Sequence, residues 1–152
     1  MKRISEYRIV IDRSPRAYEP GIGEKISMPA KLASLARQLI PDDEREHFLA
    51  IFLDTKNVVK GFHEVSVGSL TSALVHPREA FRAAIGIGAC SVAFAHNHPS
   101  GDVTPSSEDI VLTRRLVEAG KLLGIRVLDH VIVQNESDTF HAMSEHAEVQ
   151  FS

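Results

Sequence analysis

From His47 to Leu53 the chain runs His-Phe-Leu-Ala-Ile-Phe-Leu, a nearly continuous apolar stretch. Successive side chains of a strand leave on opposite faces, so a strand of this composition suits a sheet covered on both sides. Asp54-Thr55-Lys56-Asn57 supplies turn chemistry, and Val58 to Val67 reads as the returning strand of a hairpin. Cys90-Ser91-Val92-Ala93-Phe94-Ala95 is a second apolar run, ending on His96-Asn97-His98-Pro99, and Ile125 to Val133 is a third. The tail beyond Gln134 carries only weak strand character, near Phe140 and Met143.

Helical patterns separate these runs. Ser27 serves as N-cap to a helix in which Leu32, Leu35, Ala36, Leu39 and Ile40 recur until Pro41 stops it. Pro77 occupies the first position of a second helix, which runs through Ile85. Thr104 and Pro105 read as N-cap and first helical position of a third. Its apolar stripe includes Ile110, Val111, Leu116, Val117, Leu122 and Leu123, with Arg114, Arg115 and Lys121 on the solvated side, and it stops at Gly124. Strands and helices alternate without repeats, which is the α/β class with a central sheet.

The chain has 152 residues, 43% of them hydrophobic, enough for one domain with a sizeable core and too few for a second large one. Residues 1–43 read as an extension of strand, loop and helix: a strand-like run from Tyr7 to Ile11, then a loop through Pro15, Pro20, Gly21 and Gly23. Residues 44–152 form the domain proper. A net charge of −3 argues against a nucleic-acid partner. Charges interrupt every window that could span a membrane, and the N-terminus lacks a secretory h-region, so the expected location is cytoplasmic.

One cysteine against eight histidines restricts the metal chemistry. Cys90 excludes a disulfide framework and every Cys-rich zinc site, leaving His and carboxylate as ligands. Between apolar Val92 and Phe94 on one side and a glycine-bounded start on the other, Cys90 reads as a small core residue. His96 and His98, two apart at a strand end, project from one face while Asn97 points away. Chance alone yields about 0.4 such pairs at this histidine content, so a purely structural pair stays open. Asp109 follows eleven residues after His98, where a strand, tight turn and helix fold it back over the strand end. Two nitrogens and one oxygen would then leave a fourth position open, as in catalytic rather than structural zinc sites. The alternative for Asp109 is a residue favoured near a helix N-terminus by the macrodipole. His47, His63, His141 and His146 have no spacing that suggests a ligand set.

The segment His96-Asn97-His98-Pro99-Ser100-Gly101-Asp102 with Thr104-Pro105-Ser106-Ser107-Glu108-Asp109 resembles the His-x-His-x7-Ser-x2-Asp signature of the JAMM (JAB/MPN+) metalloproteases, and most closely their RadC-like bacterial branch. Agreement extends through Leu53-Asp54-Thr55-Lys56-Asn57, Gly68-Ser69-Leu70, Val75-His76-Pro77-Arg78-Glu79 and Val127-Leu128-Asp129-His130-Val131-Ile132, roughly residues 44 to 134. The resemblance implies the JAB/MPN fold, a cytidine-deaminase-like central mixed sheet flanked by helices. It implies one zinc ion per chain, with His96, His98 and Asp109 as ligands, and a peptide or protein-conjugate substrate. It also implies an upstream glutamate as general base, for which Glu46 stands in the matching place and Glu44 and Glu64 align less well. On composition alone Glu46 is an ordinary solvated residue at a strand start. Ser106 matches the signature serine, expected to donate to the oxyanion or position the water; its other reading is a helix cap.

Asp129 and His130 interrupt an apolar strand, and buried charge demands a partner. Either Asp129 accepts from the free N–H of a ligating imidazole, or the two form an edge pair unrelated to the metal. The branch has historically carried a DNA-repair label, so a non-catalytic DNA-associated role is the alternative function. Longer relatives carry a helix-hairpin-helix region ahead of the metal domain, for which this length leaves no room, and the charge offers no basic face. A zinc deaminase would need a Pro-Cys-x-x-Cys pair that one cysteine cannot supply.

Overall fold

In a computed structural model the described residues are 1–13, 23–68 and 75–151. The expected loop at Pro15, Pro20 and Gly21, and the matching Ser69 and Leu70, lie outside them. Five strands form one mixed sheet in the order β2-β1-β3-β4-β5: β1 His47–Leu53, β2 Val59–Val67, β3 Ser91–Asn97, β4 Arg126–Val133 and β5 Phe140–Ala142. β1 is antiparallel to β2 and β3, β3 is parallel to β4, and β5 runs antiparallel along β4. The helices are α1 Pro29–Leu39, α2 Pro77–Ile87 and α3 Ser107–Leu123. The fold is therefore α/β around a central mixed sheet.

Every residue of β1 and β3 is buried, which fits strands covered on both faces. Phe48, Ala50, Phe52, Val92, Phe94 and Ile132 share one core with Phe81 and Ala84 of α2 and Leu112 and Leu116 of α3. The alternate residues Leu49, Ile51, Leu53, Ala93, Ala95, Val131 and Val133 share the other with Leu32, Leu35, Ala36 and Leu39 of α1. The period-2 alternation thus feeds two apolar layers from one strand. Fully burying a side chain such as Phe48 stabilises by roughly 1.5–3 kcal/mol. α3 bridges the parallel strands β3 and β4, so its N-terminus begins close to where β3 ends.

Several boundaries differ from the sequence expectation. α1 starts at Pro29 with Met28 as its N-cap in place of Ser27, because the fixed φ of proline suits the first helical position. α2 continues to Ile87 and closes on Gly88 in the left-handed region. α3 is capped by Ser106, not by Thr104 with Pro105, because Ser106 and Asp109 satisfy each other's backbone N–H groups. The run Tyr7–Ile11 forms no strand: Tyr7, Ile9 and Val10 lie exposed, and among the described residues no strand pairs with them. Cys90 is exposed rather than core, since β3 begins one residue later. Among the described residues no helix is long and apolar enough to cross a membrane.

Candidate metal centre

The end of β3 and the first turn of α3 meet at one cluster of donors. His96 is the penultimate residue of β3, His98 follows the strand, and Asp109 is the third residue of α3. The Ser106 N–H donates to Asp109 Oδ2 at 2.9 Å, and the Asp109 N–H donates to Ser106 Oγ at 3.0 Å. This capping box turns the Asp109 carboxylate back towards the strand end, so its role at the helix start and its place among the histidines are one arrangement.

The Nε2 atoms of His96 and His98 lie 3.0 Å apart. Asp109 Oδ1 lies 3.4 Å from His96 Nε2, and Oδ2 lies 3.2 Å from His98 Nε2. Tetrahedral ligands at zinc bond lengths of about 2.0–2.1 Å stand roughly 3.3–3.4 Å from one another, so the two imidazoles and the carboxylate are close enough to share a single ion. The two imidazole planes meet at 61°, which lets both lone pairs aim at a common point. His98 Nδ1 lies 2.7 Å from the Asp102 carbonyl. A carbonyl only accepts, so Nδ1 carries a proton and Nε2 is the atom turned to the centre. His96 and Asp109 are buried while His98 is half-buried, so the cluster has a solvent side.

Burial pushes the Asp109 carboxyl up, but the His96 and His98 imidazoles beside it, with the Ser106 N–H, outweigh this and hold it well below the usual carboxylate range. The His98 pKa is raised, chiefly by Asp109, against the opposing effect of burial, with the Asp102 carbonyl and the charge of Glu46 contributing.

That influence places Glu46 within electrostatic reach of His98. Glu46 is half-buried just ahead of β1, and its carbonyl accepts from the Gly68 N–H at 2.8 Å. On the β3 side, the Asn97 amide spans it, accepting from the His47 N–H at 2.7 Å and donating to the Arg45 carbonyl at 2.9 Å. The other two carboxylates go elsewhere: Glu64 Oε2 bonds His47 Nδ1 at 2.9 Å, and Glu44 is exposed at a positive φ of 64°. Ser106 Oγ uses a lone pair in its cap, which leaves its hydroxyl hydrogen available to a ligand.

Asp129 does not reach a ligating imidazole. Its Oδ1 accepts from the His130 and Ser144 N–H groups at 2.7 and 3.0 Å, and its Oδ2 accepts from the Ser144 hydroxyl at 2.6 Å. It ties the 3₁₀ turn Met143–Glu145 to β4. The residue behind the cluster is His130, whose Nε2 lies 2.7 Å from His96 Nδ1. Carboxylates are the commoner support for a ligating histidine, which made Asp129 the candidate in the sequence; strand alternation aims His130 there instead.

Reading the histidines by spacing alone also passed over His47, His141 and His146. His47 is buried between Asp43 and Glu64, at 2.7 and 2.9 Å. His141 and His146 stack with ring centroids 4.0 Å apart, and Glu148 Oε1 lies 3.3 Å from His141 Nε2. The planes of that pair differ by only 9°, and near-parallel rings do not converge on one ion.

The model of the RadC-like JAB domain matches residues 26–148. Similar proteins include a UPF0758 protein of Desulforamulus reducens, 51% identical over 75% of this chain and 50% of its own length. Another, from Rubrobacter xylanophilus, is 51% identical over 80% of this chain and 52% of its length. A third, from Methanosarcina mazei, is 48% identical over 72% and 48% respectively. The chain spans about half the length of the curated relatives it matches. With the match running from Ile26 through Glu148, across α1, the whole sheet and the donor cluster, the chain belongs to the RadC-like JAB domain family.

Proposed function

We propose that the chain is a zinc-dependent hydrolase of amide bonds, acting on a peptide or protein conjugate. The observation that carries this reading is the convergence of His96, His98 and Asp109 at tetrahedral spacing, with Glu46 within electrostatic reach of His98. Zinc held by these three residues supplies Lewis-acid polarisation of water and of the scissile carbonyl. The Glu46 carboxylate takes the proton from the attacking water and passes it to the leaving amine nitrogen, so no net proton stays on the chain. The Ser106 hydroxyl donates to the carbonyl oxygen as that oxygen gains negative charge. Asn97 holds the backbone on both sides of Glu46, limiting how far the base can drift.

The test is hydrolysis of a panel of fluorogenic peptide amides and lysine isopeptides by the zinc-loaded chain and by Glu46→Gln. The expected result is turnover of at least one class and a loss of about 10²–10⁴-fold in the variant with its zinc retained. Undiminished turnover in Glu46→Gln would overturn the role given to Glu46, and a chain that takes up no zinc would overturn the reading as a whole.

A further inference from the structure

Behind His96, two further buried side chains leave no freedom in where the protons sit. Thr113 Oγ1 lies 2.7 Å from the backbone carbonyl oxygen of Asp109, an atom that can only accept. The single hydroxyl hydrogen of Thr113 therefore points there. Thr113 Oγ1 also lies 2.6 Å from His130 Nδ1, and with its hydrogen committed it can only accept. His130 Nδ1 must then carry a hydrogen. His130 is fully buried, with the rings of Phe48 and Phe94 at 5.3 and 6.4 Å. A second hydrogen on its Nε2 would create a cation among apolar rings with no carboxylate bonded to it, which is costly. His130 Nε2 is thus a lone pair, and the 2.7 Å contact to His96 Nδ1 is a bond that His96 donates.

We infer that Thr113 and His130 are positioning residues that lock His96 in its Nδ1–H tautomer and so present an unprotonated Nε2 to a bound cation. The chain of bonds begins at ligand His96 and ends on the backbone of Asp109, joining β3, β4 and α3 through groups that do not touch the ion themselves. Ligating histidines are commonly oriented by a carboxylate or a backbone carbonyl. Here a neutral imidazole takes that place, so the support adds no negative charge to the centre. This inference rests on the metal reading above, but the tautomers can be read without a metal.

The experiment has two arms on the full chain. Long-range proton–nitrogen correlation spectra of the isotope-labelled, metal-free protein should show both His96 and His130 protonated at Nδ1. An Nε2–H tautomer at either residue overturns the inference. In the second arm, zinc affinity is measured by chelator competition for the unmodified chain, Thr113→Val and Thr113→Ser. Valine keeps the shape but cannot accept from His130, freeing that ring to reverse its tautomer and push the hydrogen of His96 onto Nε2. The expected loss is about 10- to 100-fold for Thr113→Val, with Thr113→Ser within about three-fold of the unmodified chain. Equal affinity in the valine variant contradicts the inference. A chain that binds no zinc in any form removes the metal reading, and the spectra then still decide the tautomer chain. Should Thr113→Val fail to fold, those same spectra carry the test.

Discussion

Asn97 and His47 are joined across fifty residues of sequence: Asn97 Oδ1 accepts the His47 backbone N–H at 2.7 Å. The other end of the same amide donates to the Arg45 carbonyl at 2.9 Å, so one side chain holds the peptide units flanking Glu46. Asn97→Ala strands the buried His47 N–H and should cost about 1–3 kcal/mol of stability, read as a lowered urea midpoint. An unchanged midpoint would show that this bond holds nothing in place.

Ser106 has two roles that one pair of substitutions separates. Ser106→Ala should cost roughly 0.5–2 kcal/mol of stability as a lost cap, and Ser106→Gly only a few tenths. Both remove the hydroxyl, so hydrolysis by the zinc-loaded chain should fall equally in the two, by about 10²–10³-fold. Activity that follows the stability order instead would leave Ser106 a cap alone.

The His47 imidazole titrates against a known reference. Burial pulls its pKa down, but the hydrogen bonds its ring donates to Asp43 and Glu64 together outweigh that and hold it above the usual 6.5. A pKa raised by folding adds stability that is full below about 6.5 and is lost as the pH climbs through the folded value. The midpoint of the unmodified chain should therefore fall more steeply above pH 6.5 than that of His47→Gln. Parallel pH profiles would contradict the assignment.

Gly120 lies in the last turn of α3, where the chain turns into β4. A Cβ there would stand 2.4 Å from the Ile125 carbonyl oxygen and 3.0 Å from Val127 Cγ2. Gly120→Ala should destabilise by about 1–3 kcal/mol through overpacking, although alanine is the better helix former by roughly 1 kcal/mol. A gain in thermal midpoint would show that the contact relaxes freely.

The parts of the fold and site that were legible in the sequence are those set by local pattern. The apolar run of β1 marked a strand buried on both faces, that of β3 marked a strand, and the spacing from His96 through His98 to Asp109 marked residues that the strand end and helix start bring together. The start of α3 was misplaced because Thr104-Pro105 is a good local cap, and only the reciprocal bonds of Ser106 with Asp109 show which cap is used. Tyr7–Ile11 has strand composition, but composition does not supply a partner strand. Long-range partners were the least visible: Asn97 bonds a backbone fifty residues away, and His130 reaches His96 across thirty-four. A polar Asn97 at the end of an apolar strand was the one local sign that such a bond was needed.

The proposed function requires that His96, His98 and Asp109 hold one zinc ion. It is tested most directly by anomalous diffraction at the zinc edge from crystals of the zinc-loaded chain. A single peak about 2.0–2.2 Å from His96 Nε2, His98 Nε2 and one Asp109 oxygen is the predicted result. No peak within that triangle, or one found only beside His141, His146 and Glu148, would contradict it.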